Sequence, residues 1–205
     1  MIWKPAGSFI RKPRFGRGNK PLDWTSEYGS ASTGEKSNAI RPGCPGSIFG
    51  TGNKARLVSV ANRWNESMGI DVRYPDAHAD FITRCHDSGQ TRPTPLLLQY
   101  GEGDFNALHQ DVYGEQVFPL QVAILLSEPQ KDFTGGEFVL TEQRPRMQSR
   151  VEVVPFERGD GVIWAVRNRP AQGTRGIYRV NMRHGVSRLR SGHRHTLGII
   201  FHDAT

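Results

Sequence analysis

The chain has 205 residues, a mass of 23.0 kDa, a formal charge of +7 and a mean hydropathy of −0.55. That is about one domain of rather polar chain, and nowhere does it approach the ~20 consecutive apolar residues that cross a bilayer, so no membrane partner is expected. Two cysteines, Cys44 and Cys85, supply neither a disulfide framework nor a four-cysteine zinc site. With no secretory pattern over residues 1–10, the expected setting is a reducing cytoplasm.

The charge is unevenly spread. Residues 1–57 carry ten Lys/Arg against three acids, 58–142 carry five against thirteen, and 143–205 carry twelve against four. All twelve late cations are arginine, and eight of them fall between Arg167 and Arg194 without an Asp or Glu. A one-sign run of this kind attracts a polyanion, nucleic acid foremost, or else neutralises the acidic middle of the same fold.

Residues 1–57 hold nine Gly, five Pro, no Val and only six Ile or Leu. They are predicted to be a basic, irregular leader, with the folded domain over 58–205. A helix is predicted over 54–69, where Leu57, Val60, Ala61, Trp64 and Met68 recur at three- and four-residue steps before Gly69. A second is predicted over 75–86, opened by Pro75, with Ala77, Phe81 and Ile82 facing inward. After Pro93 the texture turns to β. Strands are predicted over 94–100, 117–127, 137–141, 151–156, 161–166, 177–186 and 196–201, with a hairpin turn at Gly135-Gly136 and a turn at Arg158-Gly159-Asp160. Strands without alternating helices predict a mainly β fold: a two-sheet antiparallel jelly roll over 94–203 with the helices packed outside. Residues 167–183 read as a long Arg-, Gly- and Asn-rich loop that closes over a site. Its Arg167, Arg169, Arg175 and Arg179 are candidates for phosphate contact.

The chemistry starts at His109-Gln110-Asp111. Alternate residues of a strand point the same way, so His109 and Asp111 present an imidazole and a carboxylate to one point. His184, near the end of a later strand, supplies a third ligand. Two histidines and a carboxylate form the facial triad that holds Fe(II) and leaves other positions open. A structural zinc site would usually be closed by four protein ligands, whereas a catalytic zinc site shares these ligand types. Beyond the turn at Ser191-Gly192 the returning strand aims Arg194 into the barrel, where a buried guanidinium needs an anion. A dicarboxylate cosubstrate that also chelates the metal fits that need. Trp164 reads as core, Glu137 as a surface acid, and His193, His195 and His202 as structural or solvent-facing.

His109-x-Asp111, His184 and Arg194 together resemble the 2-oxoglutarate- and Fe(II)-dependent dioxygenases. Leu108-His109-Gln110-Asp111 is similar to the metal motif of AlkB-type nucleic-acid demethylases, and Gly135-Gly136-Glu137 resembles the prolyl-hydroxylase-like branch. Over 61–203 the chain resembles a bacterial family of such oxygenases predicted to act on damaged DNA, notably in Ala61-Asn62-Arg63-Trp64-Asn65 and Gly114-Glu115-Gln116-Val117-Phe118. The resemblance implies a double-stranded β-helix core, with His109, Asp111 and His184 as iron ligands. It implies Arg194 as the anchor of the distal carboxylate of 2-oxoglutarate, Tyr100 as a hydrogen-bond partner of that cosubstrate, and O2 as co-reactant. The expected reaction is hydroxylation or oxidative demethylation, with damaged or methylated nucleic acid as the preferred substrate class. A protein hydroxylase of prolyl type and a catalytically silent nucleic-acid-binding module are the alternatives.

Overall fold

The computed structural model describes residues 36–39 and 51–205. Its elements are β1 (Lys36–Ala39), α1 (Thr51–Ser67), α2 (His78–Asp87), β2 (Leu96–Tyr100), β3 (Asn106–His109), β4 (Leu120–Leu125) and β5 (Phe133–Gly135). They continue with β6 (Phe138–Gln143), β7 (Arg150–Val154), β8 (Gly161–Ala165), β9 (Asn168–Gly173), β10 (Gly176–Val186), β11 (Leu189–Gly192) and β12 (Arg194–Ile200). The first sheet has the order β1-β2-β12-β4-β8, the second the order β3-β10-β6-β7 with β9 also on β10, and β11 pairs with β5. Every one of these strand pairs is antiparallel. From β2 to β12 the chain crosses repeatedly between the two sheets. β2, β4, β8 and β12 lie in the first, while β3, β6, β7 and β10 lie in the second. That winding makes the double-stranded β-helix, or jelly roll, that the sequence predicts.

Burial explains the layers. β4 is buried at all six positions, as expected of a strand covered on both faces. Its Ala123 and Leu125 join Tyr100, Phe133, Phe138, Leu140, Trp164 and Met182 between the sheets. Its Leu120, Val122 and Ile124 face the other way and pack with Leu57, Val58 and Ala61 of α1 and Phe81 and Cys85 of α2. The helices therefore cover the outer face of the first sheet. The outer face of the second is open at β7, where four of five residues are exposed. No helix among the described residues is long and apolar enough to cross a membrane.

Several expectations are corrected. Most of the proposed leader, 1–35 and 40–50, lies outside the described residues. Within it, however, 36–39 form a strand along the free edge of β2. Backbone pairing places that strand, and Lys36-Ser37-Asn38-Ala39 has no apolar alternation to announce it. Helix α1 opens at Thr51, three residues earlier than predicted. Helix α2 opens at His78, with Pro75 before it rather than in its first turn and with Ala77 exposed. The supposed loop 167–183 is the β9–β10 hairpin, paired from Gly173↔Gly176 to Asn168↔Asn181. Pro170 and Gly173 disguise β9, and proline is tolerated there because β9 pairs with β10 alone. Gly135-Gly136 makes no hairpin: at φ 71° and 62° the pair carries the chain from the β5–β11 ribbon into the second sheet.

Candidate metal and anion site

The site sits between the sheets at the end of β3. His109 closes β3, Asp111 follows it, and His184 lies opposite His109 on β10. The sequence reading placed His109 and Asp111 on one strand. In the structure β3 ends at His109, and Asp111 lies in irregular chain where the Val112 N–H donates to the Gln110 carbonyl at 3.1 Å. The two side chains converge nonetheless. One ligand atom from each of His109, Asp111 and His184 lies within 4.8 Å of the others, the one such group of three among the described residues.

The protonation states suit a cation. The His109 Nδ1–H donates to the Ala107 carbonyl at 2.7 Å, which leaves Nε2 of the neutral ring as a lone pair. Nε2 lies 3.2 Å from Asp111 Oδ1. Asp111 Oδ2 lies 3.3 Å from His184 Nε2. Burial pushes the Asp111 carboxyl up, but His109, His184 and the Tyr113 hydroxyl outweigh it and hold the group well below the usual carboxylate range. Burial pushes the His184 imidazole down, against the pull of Asp111. An ionised carboxylate beside an imidazole that burial keeps neutral is the ligand state a divalent metal requires.

Two positioning residues escaped the sequence reading. The Tyr113 hydroxyl donates to Asp111 Oδ1 at 2.7 Å, and Gln121 Nε2 donates to Asp111 Oδ2 at 2.9 Å. Gln121 also approaches His184 Nε2 at 3.2 Å. Its signal was present: a lone amide in the apolar run 120–125, on the inward parity of β4 with Ala123 and Leu125. Trp164, buried as predicted, packs on the His184 ring with centroids 5.0 Å apart.

Arg194 opens β12 and is 1% exposed. It pairs in register with Tyr100, and its guanidinium lies over the Tyr100 and Phe133 rings, 5.5 and 6.0 Å from their centroids. Nη1 donates to the Thr196 hydroxyl, and Nε has no partner among the described residues. Nor does any carboxylate among them pair with it. Burial lowers its pKa to about 10, so the charge persists at neutral pH. Gly136 makes room for its stem, since a Cβ there would meet Leu189 Cδ1 at 2.4 Å and Arg194 Cδ at 3.1 Å. The buried Tyr100 hydroxyl accepts from Asn106 Nδ2 at 3.5 Å.

A family model described as "Oxygenase, catalysing oxidative methylation of damaged DNA" matches residues 51–204. The chain belongs to this family. That agrees with the resemblance to an oxygenase family read from its motifs, and the protein is an oxygenase. It is 42% identical over 205 residues to an uncharacterized protein of Mycobacterium tuberculosis strain H37Rv, covering 98% of this chain and 85% of that one. The same figures hold for its counterpart in strain CDC 1551 / Oshkosh. Among solved structures, a 2OG-Fe(II) oxygenase family oxidoreductase of Burkholderia pseudomallei is similar at 19% identity and TM-score 0.38, over 54% of this chain and 45% of that one. A Pseudomonas putida prolyl-4-hydroxylase is similar at 15% identity and TM-score 0.39, over 80% and 70%.

The four arginines expected to contact phosphate separate. Arg169 is paired with Glu142, which also meets Arg144 at 3.4 Å; there the late cations do neutralise the acidic middle. Arg179 donates to the Met68 carbonyl at 2.8 Å and ties β10 to the end of α1. Arg167 and Arg175 are exposed. His202 and His195 are structural: the former is fully buried and accepts from the Phe118 N–H, and the latter contacts the Ser127 hydroxyl. His193 is exposed.

Proposed function

We propose that this oxygenase uses Fe(II), 2-oxoglutarate and O2 to remove methyl groups oxidatively from damaged nucleic acid. His109, Asp111 and His184 would hold the iron, and Arg194, with Tyr100 beside it, would bind the distal carboxylate of 2-oxoglutarate. When bound, the iron and cosubstrate supply the oxidising power for attack on a substrate C–H bond. The chain's own residues do the rest. Tyr113 and Gln121 keep Asp111 ionised and aimed, Ala107 fixes the His109 tautomer, and Arg194 fixes the cosubstrate's orientation. Trp164 and Phe138, packed against His184, exclude water from that side. The overall reaction balances as N–CH3 plus O2 plus 2-oxoglutarate giving N–H, formaldehyde, succinate and CO2.

One observation carries this reading. A buried guanidinium without a carboxylate among the described residues sits in the same interior as three converging metal-ligating atoms. Leaving it uncompensated is unfavourable, and a dicarboxylate resolves the deficit. The nucleic-acid substrate is supported by the family's description and by the exposed Arg167 and Arg175. Iron-loaded protein, given 2-oxoglutarate and a panel of methylated and unmethylated oligonucleotides, should release formaldehyde with the methylated ones alone. Equal succinate with every oligonucleotide and no formaldehyde would overturn the substrate assignment. Mass gain on proline-containing peptides would replace it with protein hydroxylation.

A further inference from the structure

We propose that Gly185 is a positioning residue for the metal site: by lacking a side chain it admits a β-bulge in β3 whose carbonyl orients the His109 imidazole. The inference rests on the metal reading given above. Between β10 and β3, His184 pairs with His109 and Val186 with Asn106. Gly185 alone therefore opposes both Ala107 and Leu108, two residues against one.

The bulge changes which way β3 points. In a regular strand, residues three apart face opposite sides. Here Asn106 and His109 are both half-buried, with Ala107 and Leu108 exposed between them. The extra residue turns Asn106 toward Tyr100 and His109 toward Asp111 within one short strand.

Only a glycine fits opposite. A Cβ on Gly185 would lie 2.6 Å from the Asn106 carbonyl oxygen and 3.3 Å from both atoms of the Ala107 carbonyl. These are backbone atoms, which cannot swing aside as a flexible side chain does. The Ala107 carbonyl is also the acceptor for His109 Nδ1–H. Pushing it away releases the proton that keeps Nε2 turned as a lone pair toward Asp111. The link therefore runs from an absent side chain to a carbonyl, a tautomer and a ligand atom.

The test uses the full chain, metal-free and at mildly alkaline pH where imidazole is neutral, with 15N-histidine NMR to read the His109 tautomer. Anaerobic Co(II) titration follows. Wild type should show the Nδ1–H tautomer. Gly185→Ala should lose it and bind Co(II) about ten- to a hundredfold more weakly, the usual effect of losing a ligand-orienting contact. Gly198→Ala in β12, where a Cβ meets nothing nearer than 3.8 Å, should match wild type in both. If Gly185→Ala does not fold, deletion of Leu108 replaces it, since that exposed residue is the bulge's surplus and leaves no core gap; the same losses are expected. A folded variant with wild-type tautomer and Co(II) affinity overturns the proposal, as does a wild-type His109 in the Nε2–H form. Failure of wild type itself to bind Co(II) would instead overturn the metal reading and leave the tautomer result standing.

Discussion

Replacing Arg194 with methionine should separate cosubstrate binding from stability. The guanidinium is 1% exposed, stacked on two rings and without a carboxylate among the described residues. Removing one partner of a buried charge pair costs about 3–5 kcal/mol, so 2-oxoglutarate affinity should fall by about a hundredfold to several thousandfold. The cosubstrate-free protein should behave differently. Its Arg194 bears full desolvation with the Thr196 hydroxyl and two ring faces in return, and an apolar side chain of similar length, which still packs on the rings, gives up about 1–3 kcal/mol of these contacts against a larger desolvation cost. The melting temperature of Arg194→Met without cosubstrate should therefore equal or exceed that of wild type. Wild type, loaded with a redox-silent divalent metal and 2-oxoglutarate at about 100 times its Kd, gains about 2.7 kcal/mol. For a domain of this size that raises the melting temperature by about 5–10 °C. Thermal scans with and without 2-oxoglutarate read both quantities. An Arg194→Met protein that keeps the full wild-type shift would refute the anion-site reasoning. One that melts far below wild type without cosubstrate would show the guanidinium to be structural.

Three further expectations concern other parts of the molecule. Gln121→Leu removes the donor to Asp111 Oδ2 while keeping bulk, and should weaken Co(II) binding by about ten- to a hundredfold with little loss of fold; unchanged affinity in the titration would remove Gln121 from the site. Burial lowers the His202 pKa from 6.5 to about 4, so its contribution to stability is whole above pH 6.5 and is lost as pH falls toward 4. That is about 2 kcal/mol by pH 5, and His202→Asn, which keeps an acceptor for the Phe118 N–H, should flatten the urea-melt profile in that window. If Arg167 and Arg175 meet phosphates, each change to Ala should reduce the slope of log affinity against log salt by about 1 on any DNA sequence; an unchanged slope would leave those side chains as solvated surface.

The triad and Arg194 were legible because their chemistry is carried by residue type: imidazoles, a carboxylate and a guanidinium are conspicuous on apolar strands. The route by which they meet was not. Strand alternation predicts that His109 and Asp111 share a face, yet β3 stops at His109, and Tyr113 and Gln121 place the carboxylate. The bulge opposite Gly185 has no local signature, because it depends on how two strands remote in sequence pass each other. β9 was missed for a different reason: Pro170 and Gly173 speak against a strand, and only the unpaired side of β9 tolerates them. The late arginines illustrate the same gap, since composition could not assign Arg169 to Glu142 and leave Arg167 in solvent.

The most direct test of the central claim is succinate formation from 2-oxoglutarate under air by wild type and by Asp111→Asn, with and without added Fe(II). Wild type should form succinate only when iron is supplied, and Asp111→Asn, which keeps the shape but loses the charge, should form almost none. Succinate from the variant at the wild-type rate, or none from wild type at any iron concentration, would contradict it.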